Sequence, residues 1–225
     1  MKKLAVSLAA ALCALGATTA ARADDVTFPG YAHGSQNVTF TVPNATHTGN
    51  TTGTAGAGGF LTSLNGGPSF TSYCVDLYQY IGFNTAYSDY SVAAPGAHVF
   101  ANSNAYTDLG RLYATAGVIG DALHEAAFQL AVWEIAYETT GGYNVGSGSA
   151  FFSTSDGVRD LASTWLSQLG NHGAGPSISV LESAGHQDVI YAPVPEPAEI
   201  MLMVTGLIAM GAFAKRRRKA KTAAA

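Results

Sequence analysis

Residues 121–138 read DALHEAAFQLAVWEIAYE, and this stretch decides how the rest of the chain is read. Asp121 can cap a helix start, and Gly141-Gly142 can end one. From Ala126 to Val132 every residue except Gln129 is apolar, and Trp133 follows. A helix that is apolar on all sides belongs inside a domain, so the spacing predicts a buried helix carrying a buried amide at Gln129. A buried amide must find hydrogen-bond partners or cost free energy. A strand backbone is one such partner.

Outward from this helix the periodicity changes. Residues 36–43, QNVTFTVP, alternate Val38, Phe40 and Val42 with polar residues, the pattern of a half-buried strand. Residues 44–68 are rich in Gly, Thr, Asn and Ser and read as loops around short strands. Residues 72–83 read as a strand, with Tyr73, Val75 and Leu77 on one face and Ser72, Cys74, Asp76 and Tyr78 on the other. Further helices are expected over 108–116 and over 156–169, the latter capped by Asp156 and stopped by Gly170. Strand character returns at 177–181 and 188–194. Strands, then helices, then strands predict an α+β fold: a β-rich domain, sandwich or barrel-like, with an inserted helical subdomain.

The two ends of the chain read as addresses. Residues 1–23 have the organisation of a secretory signal peptide: Lys2 and Lys3, an apolar core, and Ala21-Arg22-Ala23 as a small-x-small cleavage site. Residues 24–192 then form the exported domain, and 193–225 a C-terminal unit. In that unit Pro195-Glu196-Pro197 precedes an apolar run, Ile200 to Ala214, and a basic cluster that includes Arg216, Arg217 and Arg218. The apolar run predicts one C-terminal transmembrane helix, with the basic end in the cytoplasm and the main body outside. This tripartite tail resembles the PEP-CTERM sorting signal of Gram-negative bacteria. The resemblance implies an exosortase-type membrane peptidase as partner, and a location at the cell surface or in the extracellular matrix.

Between Asp24 and Ala214 only Arg111 and Arg159 are basic, against all 15 acidic residues of the chain, a net charge of 2 − 15 = −13. That balance excludes a nucleic-acid partner, because phosphate binding needs a basic footprint. The same stretch has no lysine and one cysteine, Cys74. A single cysteine has no intrachain disulfide partner. The six histidines are scattered, and HEAAF at 124–128 lacks the second histidine of a zinc-binding helix, so no metal site and no cofactor are expected. Cys74 also has no hydrolase signature around it, and the chain does not read as an enzyme.

YCVDL (73–77) and FQLAVWEI (128–135) resemble the two signature segments of bacterial thioester domains, which occur on surface adhesins. The resemblance implies that Cys74 attacks the side-chain amide of Gln129, ammonia leaves, and an internal thioester remains. Ala131, Val132 and Trp133 match the helix motif, while Phe128 stands where the family usually has threonine. Asp76 and Glu125 are candidates to assist proton transfer. The implied function is covalent bonding to an amine-bearing surface or matrix target, protein or polyamine, in adhesion or biofilm cross-linking. The missing lysines fit this, since a domain without lysine side chains cannot acylate itself through them. The alternative is a non-catalytic structural surface or matrix protein with Cys74 as a free buried thiol.

Overall fold

A computed structural model describes residues 23–43, 49–140 and 142–193. The chain enters with β1 (Asp24–Tyr31), β2 (Gln36–Pro43), β3 (Asn50–Ala57), β4 (Phe60–Leu64), β5 (Phe70–Cys74) and β6 (Ala86–Val92). Two helices follow, α1 (Ala105–Ala116) and α2 (Ala122–Tyr137), then β7 (Phe151–Ser153), α3 (Asp156–Gln168), β8 (Ser179–Glu182) and β9 (Val189–Tyr191).

Six strands close a barrel in the order β1-β4-β5-β9-β8-β6, every neighbouring pair antiparallel. Closure leaves no unpaired strand edge in this sheet. The remaining strands form a second sheet, β3-β2-β7. In β2 the residues Val38, Phe40 and Val42 are buried as their alternation predicts. The outward Thr39 and Thr41 pair across the hairpin with Thr54 and Thr52. The helices enter the chain between barrel strands β6 and β8, so the β-rich class with a helical segment between strands holds.

Helix α2 is the centre of the molecule. It packs against α1, α3, β2, β3 and β5, and every residue from Glu125 to Tyr137 is buried. This is why its sequence shows no polar stripe: sheet lies on one side and helices on the other. Phe128 fills the space between Tyr73 and Tyr113, with ring centroids 4.4 and 4.8 Å away. Trp133 stacks on Phe152 of the second sheet. Asp121 caps the helix by accepting from His124 N, as its position predicts.

Three local expectations are corrected. The strand expected over 72–83 stops at Cys74, because the Asp76 carboxylate accepts from Tyr78 N and folds the chain into a turn. Leu77 N then donates to the Tyr137 hydroxyl, not to a neighbouring strand. Helix α2 ends when Glu138 turns extended, before the Gly141-Gly142 pair is reached. Helix α3 takes Ser155 as its N-cap residue, and Asp156 is its first helical residue. Among the described residues no helix is long and apolar enough to cross a membrane. The expected signal peptide, the Pro195-Glu196-Pro197 motif, the apolar run and Arg216 to Arg218 lie outside the described residues apart from position 23.

Candidate functional site

Cys74 is the last residue of β5, and Gln129 lies near the middle of α2. The Cys74 backbone N–H donates to Gln129 Oε1 at 2.8 Å, and Gln129 Nε2 donates to the Cys74 carbonyl at 2.8 Å. Both polar atoms of the amide are thus engaged by one residue, the one that carries the thiol. Cys74 is 1% exposed and Gln129 0% exposed. Because the pairing of β5 with β4 ends at Ser72, the Cys74 N–H and carbonyl are left for the helix amide.

The sulfur has its own surroundings. Cys74 Sγ donates to the Asp76 carbonyl at 3.1 Å. Burial pushes the thiol well above its ordinary value, opposed by the Trp133 indole, whose N–H favours the thiolate. That N–H is buried with no conventional hydrogen-bond acceptor, so its influence falls on the sulfur. Ala131, Val132 and Trp133 are all buried in α2. Cys74 and Trp133 line a cavity of about 220 Å³ walled by Tyr31, Phe60, Leu77 and Phe83. A water occupies about 30 Å³ in the liquid, so a short alkylamine fits.

The two carboxylates expected to assist lie elsewhere in the network. Asp76 contributes its backbone carbonyl to the thiol, while its carboxylate caps the turn at Tyr78 N. Burial raises the Asp76 carboxyl above its ordinary value. Glu125 is 1% exposed and accepts from His33 Nδ1 (2.8 Å), Gly59 N (3.1 Å) and the Tyr73 hydroxyl (2.8 Å). It ties α2 to the residue preceding Cys74 and to the β1–β2 and β3–β4 connections. Its structural role is to set the helix against the strand. Gly59 is required for this approach, since a Cβ there would overlap Glu125 Oε2.

Two residues near the site carry no sequence signal. Gln187 Nε2 donates to the Asp76 carbonyl that also receives the thiol, and Tyr137 fixes the turn after Cys74 through Leu77 N. Both act across more than fifty positions of chain, on groups that every residue has in its backbone. No family model matches the chain, and neither does any curated protein or solved structure.

Proposed function

We propose that Cys74 and Gln129 form an internal thioester, and that the chain uses it to bond covalently to amine-bearing targets outside the cell. The observation that carries the reading is the double hydrogen bond between the Gln129 amide and the Cys74 backbone. It holds the backbone of the thiol-bearing residue against a buried primary amide, in a stretch from Asp24 to Ala214 that has no second cysteine to offer.

The geometry supports this reading. The thiol adds to the Gln129 side-chain carbonyl, and the Cys74 N–H already donated to Oε1 holds the negative charge that develops there. Collapse of this adduct breaks the bond to Nε2, which departs as ammonia with the thiol proton. Fixed orientation of the two groups substitutes for the activation that an amide lacks in water. An amine entering through the aromatic cavity then attacks the same carbonyl, forms a new amide at position 129 and releases Cys74 as a thiol. Burial of both groups keeps water from competing.

Export by the N-terminal signal, sorting by an exosortase-type peptidase and attachment through the C-terminal helix complete the proposal. They rest on the two terminal motifs. The second reading is a structural surface or matrix protein, favoured by the same pair of hydrogen bonds, which would satisfy a glutamine that never reacts.

Trypsin distinguishes the two. Between Asp24 and Ala214 it can cut only at Arg111 and Arg159, which separates Cys74 from Gln129. With a thioester the two fragments stay joined in denaturant, and methylamine releases them while adding a methylamide at Gln129. Fragments that separate at once, with an unmodified Gln129, contradict the proposal.

A further inference from the structure

The fold gathers one of the scattered histidines into a cluster of a different kind. His98, on the segment between β6 and α1, places Nδ1 2.6 Å from Glu182 Oε1 and 3.8 Å from Asp188 Oδ2. Glu182 ends β8 and Asp188 directly precedes β9, so the carboxylates stand at the two ends of one hairpin connection. One ligand atom from each of the three residues lies within 4.8 Å of the other two. Bonds of about 2.0–2.2 Å to a shared ion place donor atoms roughly 3–4 Å apart, which this cluster reaches with small side-chain shifts.

Two of the three groups, His98 and Asp188, are held in place by contacts that a surface ion pair lacks. The His98 ring packs on Phe100 at 4.5 Å, and its backbone N–H donates to the Tyr106 hydroxyl. The second oxygen of Asp188 accepts from Ser183 N at 2.9 Å, and its carbonyl accepts from Val75 N at 3.0 Å. The Asp188 carboxylate is thus positioned with one oxygen left for His98 or an ion.

Charge argues in the same direction. His98 and Asp188 line a cavity of about 490 Å³ together with Asp76, and neither Arg111 nor Arg159 borders it. Those two arginines are committed to Asp108 and Asp156. Three carboxylates therefore share one imidazole, a deficit of positive charge that a cation fills.

We propose that His98, Glu182 and Asp188 form a binding site for a first-row divalent cation of the Zn²⁺ class. One imidazole nitrogen with two carboxylates suits such an ion better than Ca²⁺ or Mg²⁺, which prefer oxygen alone. The ion replaces the proton that His98 Nδ1 shares with Glu182, and that proton passes to solvent. Bound there, it pins the segment after β6 to the β8–β9 hairpin, whose Val189 pairs with Cys74. The proposal does not depend on the thioester.

Isothermal titration with Zn²⁺ tests it on the full chain with Cys13 and Cys74 replaced by serine, so that no thiol competes. One equivalent of Zn²⁺ binds and raises the thermal midpoint, while Ca²⁺ at equal concentration does neither. His98→Gln and Asp188→Asn each weaken binding at least about tenfold, and the exposed His172→Gln leaves it unchanged. Should a variant fail to fold, the His98 imidazole resonances of the parent chain report the same site by shifting on Zn²⁺ addition. Absence of binding, affinity unaffected by the His98 and Asp188 substitutions, or an unshifted His98 resonance overturns the proposal.

Discussion

Glu125 offers the sharpest test of how the site is held together. Replacing it with alanine leaves the Gly59 N–H and the Tyr73 hydroxyl, both buried, without an acceptor. Burial and then the neighbouring Glu125 charge push the Tyr73 phenol upward, so it stays protonated and continues to need that acceptor. Each stranded donor costs about 1–3 kcal/mol. The partly exposed His33 regains water and adds at most about 1 kcal/mol. Glu125→Ala therefore destabilises by about 4 kcal/mol, which for a domain of this size lowers the thermal midpoint by roughly 8–16 °C. Glu125→Gln keeps one acceptor oxygen and loses about half as much. Thermal and urea unfolding are measured in a Cys74→Ala background, so that no covalent link between β5 and α2 masks the effect. The same substitutions with Cys74 present report on chemistry: a positioning residue predicts that Glu125→Gln still forms the thioester. A loss below about 1 kcal/mol for Glu125→Ala would refute the structural role. A stable Glu125→Gln chain that never loses ammonia would show that the carboxyl carries a proton.

Glu134, buried on α2, has its carboxyl pushed up to about 8, first by burial and also by Glu138, against the pull of Asn144 N–H. The folded state therefore holds this proton more tightly than the unfolded chain, and stability falls as pH rises from about 4.5 towards 8. Glu134→Gln should remove about 2–3 kcal/mol of that fall between pH 5 and 7 in urea titrations, and an unchanged pH profile contradicts the assignment. Gly110 of α1 lies where a Cβ would stand 2.5 Å from the Ala174 carbonyl oxygen and 2.8 Å from that of Pro176. Gly110→Ala should lower stability by about 1–3 kcal/mol despite the better helix propensity of alanine, and a raised midpoint refutes the close packing. Tyr80 is 73% exposed and lines the Cys74 cavity. Tyr80→Lys should produce covalent dimers, or an internal cross-link from the new amine to Gln129, on denaturing gels and in peptide mass maps. Absence of both ends the idea that missing lysines protect the bond.

The sequence showed the elements whose periodicity is local. The alternation of Val38, Phe40 and Val42 and the unbroken apolar run around Gln129 each reflect an environment uniform along the element. The barrel is less legible, because two of its strands bury few side chains: β1 buries Val26 and Phe28 and β6 only Tyr90, whereas β8 and β9 overlap the strand character at 177–181 and 188–194. The strand expected over 72–83 runs past the observed end at Cys74 because Val75 and Leu77 are buried for another reason. They line the turn that Asp76 and Tyr137 hold, so burial continued where pairing had stopped. Cys74 and Gln129 were singled out by residue type, one unusual for its compartment and one for its apolar surroundings. The cluster of His98, Glu182 and Asp188 had no such signal. Its carboxylates lie 84 and 90 positions along the chain from the histidine, and only closure of the barrel brings them together.

The intact mass of the purified chain under denaturing conditions tests the central claim most directly. A Cys74–Gln129 thioester makes the chain one ammonia lighter than its sequence, and Cys74→Ala and Gln129→Ala each restore the full mass expected for the variant. A chain of full mass, with Cys74 alkylated as soon as it unfolds, would show that the thiol and the amide are neighbours that never react.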